Sequence, residues 1–343
     1  MGKKDTGEGA RSFGKYLVTL LASDMRLQRK LMIIRGDMAQ LFVGPSRTRL
    51  ALAKHHQVAT FNVLREEFSD IYQRLTEYDT SKFTMPLWES FNAELEKVFL
   101  PSPPFSFLRH PVIRINMFVT RGGRFLREEL VFLEKRISEN RLRSLLQEDY
   151  VGDPLLSSSK YLTSHNNIHN LYHLVRFLDR TKCSISELNA ICEWGGGYGN
   201  MARIFRRLKS EPCTYIIFDT PLFSCLQWLY LSTVLGKKSV DLLQSPEDSI
   251  HAGKVNLITI CFLDYHSISA DLFISTWGLS DSSRYSQDYV LARKWFNSKH
   301  ILLAYQDSSN NWPDAARVGK LAEESGATIE DIEFVRGQHY AFR

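Results

Sequence analysis

Apolar positions along this chain follow two regimes. Over residues 11–43, Phe13, Tyr16, Leu17, Leu20 and Leu21 recur at three- and four-residue spacing, which is one face of a helix. Gly44-Pro45-Ser46 reads as a break after it. Helical spacing resumes over 61–75 and 87–100, stops at Pro101-Ser102-Pro103-Pro104, and returns from about 123 to 147. Gly152-Asp153-Pro154 marks a turn and Ser157-Ser158-Ser159 a loop. Residues 1–150 therefore read as a mainly helical region.

Beyond Asn166 the pattern changes. A helix over 168–178 leads into a short apolar strand over 189–193 and then a run of glycines. Met201, Ile204, Phe205 and Leu208 stand at helical spacing after that run. Strands follow at 214–218, 255–262, 271–276 and 300–306, with helices at 222–235, 288–297 and 315–325 between or after them. The chain closes on apolar stretches at 332–335 and 339–342, which suit an antiparallel edge. Strands alternating with helices of this length predict an α/β, Rossmann-like parallel sheet in residues 151–343, its binding core spanning 188–343.

Composition fits a soluble globular protein, with 44% hydrophobic, 12% aromatic and 24% charged residues in a chain of 343. The net charge of +5 is uneven: eleven Lys/Arg against four Asp/Glu in residues 1–60 give +7, leaving −2 for the rest. That basic segment suits peripheral contact with an anionic surface or a partner, or simply a solvated helix face. No basic–aromatic track runs through 188–343, which argues against a nucleic-acid partner. The five cysteines show no metal or disulfide spacing, and the start Met-Gly-Lys-Lys-Asp lacks a signal-peptide apolar run, so a cytoplasmic protein is expected. Residues 220–236 carry no charge but include Pro221, Gln227 and Ser232, and read as a buried helix, not a membrane span. A homo-oligomer is compatible with all of this.

The glycine run carries the first chemical signal. A glycine-rich turn between strand and helix lets backbone approach a ligand closely. Gly197-Tyr198-Gly199-Asn200-Met201-Ala202 satisfies the G-x-G-x-x-G/A pattern of dinucleotide sites, while Glu193-x-Gly195-x-Gly197-x-Gly199 resembles the E/D-x-G-x-G-x-G of methyltransferases. Glu193 before the first glycine favours S-adenosylmethionine, whose methionine part lies near such a carboxylate, and that cofactor has no pyrophosphate to cradle. Asp219, with Thr220 behind it, ends the second strand where either cofactor class uses an acid on ribose hydroxyls. Tyr198 either shapes the methionine pocket or packs. An NAD-dependent oxidoreductase remains the alternative, as does a non-catalytic binding module; a bare tight turn in an unrelated α/β domain is the bland counterpart to both.

Ile191-Cys192-Glu193-Trp194-Gly195-Gly196-Gly197-Tyr198-Gly199, Tyr215-Ile216-Ile217-Phe218-Asp219-Thr220-Pro221, Leu226-Gln227-Trp228-Leu229-Tyr230-Leu231-Ser232 and Asp271–Asp281 together resemble the sugar O-methyltransferases associated with bacterial surface polysaccharides. Val151-Gly152-Asp153-Pro154 and His169-Asn170-Leu171-Tyr172 are similar too, and the likeness covers about 148–343. It implies a class I methyltransferase domain that moves a methyl group from S-adenosylmethionine to a sugar hydroxyl, on a nucleotide sugar or a growing polysaccharide. Where that family more often ends the turn after the fourth strand with Glu, this chain has Asp281.

In such a fold the site lies beyond the carboxyl ends of the strands. That rule selects His266 and Asp281 as candidate general bases, with Ser280 and Asp307 nearby in the same rank. His266 could instead pack in its loop, and Asp281 could cap the next helix. Asp264 is a candidate for the adenine edge or ribose. His165, His169 and His173 share one helix face, and without an acidic residue of the HExxH kind they read as structural or substrate-lining, with no metal. Arg284, Tyr285 and Tyr289 would suit sugar stacking or an anionic group, or ordinary surface.

Overall fold

The computed structural model describes residues 44–117, 126–333 and 335–343. The helix expected over 11–43, and most of the basic segment, lie outside the described residues. The chain before the sheet is helical: α1 (Gly44–Ala53), α2 (His56–Leu64), α3 (Phe68–Thr76), α4 (Pro86–Phe99), α5 (Pro111–Asn116), α6 (Leu126–Glu134) and α7 (Glu139–Leu146). The break expected at Gly44-Pro45 is instead the first turn of α1, where proline's missing N–H leaves no bond unmade. A short β1 (Leu156–Ser158) and β2 (Thr163–Ser164) pair antiparallel where a plain loop was expected.

The sheet domain then runs α8 (His165–Thr181), β3 (Ala190–Trp194), α9 (Asn200–Leu208), β4 (Thr214–Asp219), α10 (Pro221–Leu235), β5 (Val240–Leu242), β6 (Val255–Thr259), β7 (Leu272–Thr276), α11 (Arg284–Ala292), β8 (His300–Gln306), α12 (Arg317–Glu324), β9 (Thr328–Asp331) and β10 (Gln338–Phe342). Its eight strands lie in the order β5-β6-β4-β3-β7-β8-β10-β9. All neighbours pair parallel except β10, which is antiparallel to both β8 and β9. This is the Rossmann-like α/β architecture expected, with the antiparallel edge at the end of the chain. The last pair is shifted from its expected place, β9 ending before Ile332, and β5 was not foreseen. From β3 the chain winds outward through β4 to β5 and β6, then crosses back from β6 to β7 on the other side of β3. The crevice at that reversal is where open α/β sheets bind ligands.

The uncharged stretch 220–236 forms α10, buried on nearly every face, as a helix with no polar stripe must be. Among the described residues no helix is long and apolar enough to cross a membrane. One hydrophobic core runs from Phe61 on α2 to Phe342 on β10, so it crosses the boundary placed at 150. Polar bonds cross it too. Arg203 on α9, fully buried, donates to Asp149 at 2.5 Å and to the Gln147 carbonyl at 2.7 Å, while Gln57 on α2 donates to the other Asp149 oxygen at 2.8 Å. The guanidinium groups of Arg203 and Arg207 oppose the cost of burial and hold the Asp149 carboxyl down at about 2. Arg203→Ala should cost about 3–5 kcal/mol, because Asp149 is left buried with one partner fewer. The same contact should show in acid: a depressed folded-state pKa gives stability above about pH 4 that is lost as pH falls toward 2. Chemical denaturation of both proteins at neutral pH, and thermal melts from neutral to acid, check these two outcomes.

Candidate active site

The loop Gly195–Gly199 turns sharply from β3 into α9, and its glycines are required by close approach. Gly195 has φ +75°, and a Cβ on it would sit 2.7 Å from the Cα of Gly278, in the turn after β7. A Cβ on Gly278 would in turn collide with the Trp194 carbonyl oxygen. The two strand ends at the reversal point therefore touch backbone to backbone, and only glycine fits on either side. Gly199, at φ +93°, precedes the first turn of α9.

Three carboxyls stand beside this loop. Glu193, at the end of β3, is buried and accepts a bond from the Tyr215 hydroxyl at 2.9 Å; burial pushes its carboxyl up to about 8. Asp219, ending β4, accepts from the Thr220 amide at 2.9 Å and from Gln227 Nε2 at 2.8 Å. Burial raises its carboxyl to about 7. Gln227 Nε2 also donates to the Gly197 carbonyl at 2.9 Å, so this α10 side chain ties the second strand's acid to the glycine loop. Gln227 carries a site role that hydropathy alone hid, since it sits in an otherwise apolar helix. Asp281, after β7, accepts from Gln306 at 2.7 Å and from Ser280 at 3.3 Å, and burial raises it to about 7. The capping role open to Asp281 is filled by Ser283, whose hydroxyl accepts from the Ser286 amide at the start of α11.

These groups line one cavity at the carboxyl ends of β3, β4 and β7. Glu193, Gly195, Gly197, Tyr198, Asp219, Thr220, His169 and Asp281, all singled out from the sequence, line it together. The helical region closes it: Phe83, Met85, Trp88, Asn116 and Met117 form part of its wall. Nothing in the local pattern of residues 80–117 foretold that. Trp277, with φ +64°, stacks on His169 at 5.6 Å between ring centres. Asn200 Nδ2 and Gln227 Oε1 are buried without a hydrogen-bond partner among the described residues, and both residues stand at the glycine loop. Among the described residues lining the cavity there is no lysine or arginine.

Other predicted site residues lie elsewhere. β6 ends at Thr259, earlier than expected, and a 3₁₀ turn over Ile260–Tyr265 carries the chain away from the crevice. Ile260 therefore takes the cavity position, while Asp264 is exposed and accepts from Tyr289 at 2.9 Å and Arg293 at 3.0 Å. His266 lies farther along, half-buried, its pKa lowered by burial, and is not among the lining residues. Arg284 and Tyr285 are exposed on the first turn of α11; Tyr285 meets the outer side of Phe83 edge-on at 5.1 Å. Gly199 shapes the loop from behind, with its Cβ position against Leu231.

The histidine face of α8 has an acidic companion after all. Glu129 on α6, 40 positions before His169, accepts from or donates to His169 Nδ1 at 2.5 Å. Its other oxygen lies 3.6 Å from His165 Nε2. Against the cost of burial, the two imidazoles keep the Glu129 carboxyl below its ordinary range. Helix packing supplied this carboxylate, so no motif within α8 could announce it. His173 is fully buried and bonded to the Tyr340 hydroxyl at 2.7 Å.

No protein-family model and no curated protein matches the chain. Among solved structures it is similar to the N,N-8-amino-8-demethyl-D-riboflavin dimethyltransferase of Streptomyces davawensis, at 12% identity and a TM-score of 0.32, over 52% of this chain and 56% of that one. The chain thus spans just over half the length of that protein. It is also similar to an O-methyltransferase family protein of Burkholderia thailandensis, at 11% identity and a TM-score of 0.34, over 63% and 70% of the two chains. A third is the magnesium protoporphyrin IX methyltransferase of Synechocystis PCC 6803 with bound S-adenosylmethionine, at 12% identity and a TM-score of 0.36, over 65% and 100%. The Rossmann-like assignment itself rests on the strand order and the glycine turn described above.

Proposed function

We propose that this chain is an S-adenosylmethionine-dependent O-methyltransferase acting on a carbohydrate hydroxyl. The observation that carries the cofactor is the charge of the cavity: three carboxyls, from Glu193, Asp219 and Asp281, and no cationic side chain among its described lining. A pyrophosphate would meet acids and no cation there, whereas a sulfonium and an ammonium group would draw these raised carboxyls into their charged form and pair with them. Glu193 would hold the methionine end and Asp219 the ribose, with Asn200, whose Nδ2 is buried and lines the cavity, as a further polar contact. When bound, the cofactor supplies an electrophilic methyl group on positively charged sulfur.

The remaining chemistry belongs to the chain. A sugar hydroxyl is a weak nucleophile, so it has to be aligned and relieved of its proton. Asp281 reaches the cavity from the turn after β7, beside the glycine loop, with a carboxyl near 7 that can accept a proton at neutral pH. Trp88 and Trp277 offer aromatic faces, and Asn116, Asn166 and Asn170 offer amides, which together suit a polyhydroxylated ring. A methyl-release assay across free sugars, nucleotide sugars and oligosaccharides tests the acceptor class. Turnover with a carbohydrate supports the reading; turnover only with non-carbohydrate acceptors contradicts it.

Carboxyl groups raised to about 7 and 8 also give the site a pH signature. At mildly acidic pH they are protonated, and the cavity offers little charge to a cation. Affinity for S-adenosylmethionine should therefore rise about threefold to tenfold between roughly pH 6 and pH 8.5, as both carboxyls lose their protons. S-adenosylhomocysteine, without the sulfonium, should respond less. Calorimetry at several pH values checks this, and Glu193→Gln should flatten the dependence. An affinity that does not change with pH would count against the assigned role of Glu193.

A further inference from the structure

We propose that Glu129, His165 and His169 form a binding site for one divalent transition-metal ion, of the two-histidine, one-carboxylate kind. The three side chains are buried to within 2% of full burial, and one ligand atom from each lies within 4.8 Å of the others. His165 and His169 are one helical turn apart on α8, so both rings project from the same face toward α6. Glu129 turns one carboxylate oxygen to each ring, at 2.5 Å from His169 Nδ1 and 3.6 Å from His165 Nε2.

The donor set decides the class of ion. Two imidazoles with one carboxylate suit zinc, iron(II) or manganese(II), and poorly suit calcium or magnesium, which prefer all-oxygen shells. Three protein ligands leave at least one coordination position open. Neighbouring rings restrict the His169 side chain: it packs against both His173, at 4.1 Å, and Trp277, at 5.6 Å. His173 itself is engaged with the Tyr340 hydroxyl and holds its neighbour in place.

His169 belongs both to this cluster and to the wall of the cavity. An ion here would border the acceptor space, and a hydroxyl that reached its open position would lose its proton more readily. That consequence rests on the proposed methyl-transfer function; the ion site does not.

The test uses the purified full-length chain, stripped with a chelator and re-equilibrated with zinc or cobalt(II). Elemental analysis should find one ion per chain, and cobalt should give the visible absorption of a four- or five-coordinate site. Glu129→Gln and His165→Gln should each weaken zinc binding by at least about 100-fold. His165 does not line the cavity, so retained binding of S-adenosylhomocysteine in H165Q reports an intact fold. A wild-type chain that takes up no stoichiometric ion overturns the proposal, as does unchanged zinc affinity in both variants. The Glu129–His169 contact would then be a metal-free hydrogen-bonded pair. A wild-type chain that binds the cofactor but no ion defeats this inference alone; ion binding without the cofactor defeats the proposed function alone.

Discussion

Asp281→Asn should lower methyl transfer by about 10²–10⁴-fold, the usual contribution of a positioned general base, while cofactor affinity stays within a few-fold of wild type. The substitution keeps shape and the bond from Gln306 can be rearranged, but the amide cannot take a proton from the acceptor hydroxyl. The loss should appear in kcat and kcat/KM together, because the interaction is made only as the proton departs. Burial raises the Asp281 carboxyl to about 7, so wild-type turnover should fall as pH drops below that value. His266→Ala serves as the contrast. His266 stands outside the cavity lining, and its removal should leave turnover near normal. If H266A were inactive and D281N active, the base assignment would be reversed.

Asp219→Ala should weaken S-adenosylhomocysteine binding by about 10–100-fold, the loss of one or two charge-assisted hydrogen bonds of about 1.5–3 kcal/mol. The residue also accepts from Gln227, which holds the Gly197 carbonyl, so part of the loss would come through a loosened glycine loop. Gln227→Leu separates the two contributions. It removes the tie to the loop and leaves the carboxylate, and should cost less than D219A. Equal losses in the two variants would show that loop order, not ribose contact, is what Asp219 provides. Isothermal titration of each protein reads both results.

Much of the sheet domain was legible because buried parallel strands are short apolar runs set between helices. β4, β8 and α10 stand close to where the pattern put them. Its failures have local physical causes. Three-residue strands such as β5 are too short to make a pattern, and the pair β1–β2 is held by partners, not propensity. The end of β6 was misjudged because Ile260, Cys261 and Phe262 continue its apolar run into a 3₁₀ turn. That single error placed Asp264 and His266 at a strand end they do not occupy. The glycine-loop end of the cavity was readable from Glu193 through Asp219, since a strand, a glycine turn and a helix are contiguous in sequence. The wall contributed by Phe83 and Trp88, and the approach of Glu129 to α8, arise from packing between distant helices. No spacing rule within one segment can express them.

The cavity at Glu193–Gly199 is proposed to take S-adenosylmethionine. Calorimetric titration of the purified chain with S-adenosylhomocysteine, and in parallel with NAD, tests it most directly. The expected result is one molecule of S-adenosylhomocysteine bound per chain, weakened in D219A, and no measurable heat with NAD. Saturable NAD binding with none for S-adenosylhomocysteine would contradict it.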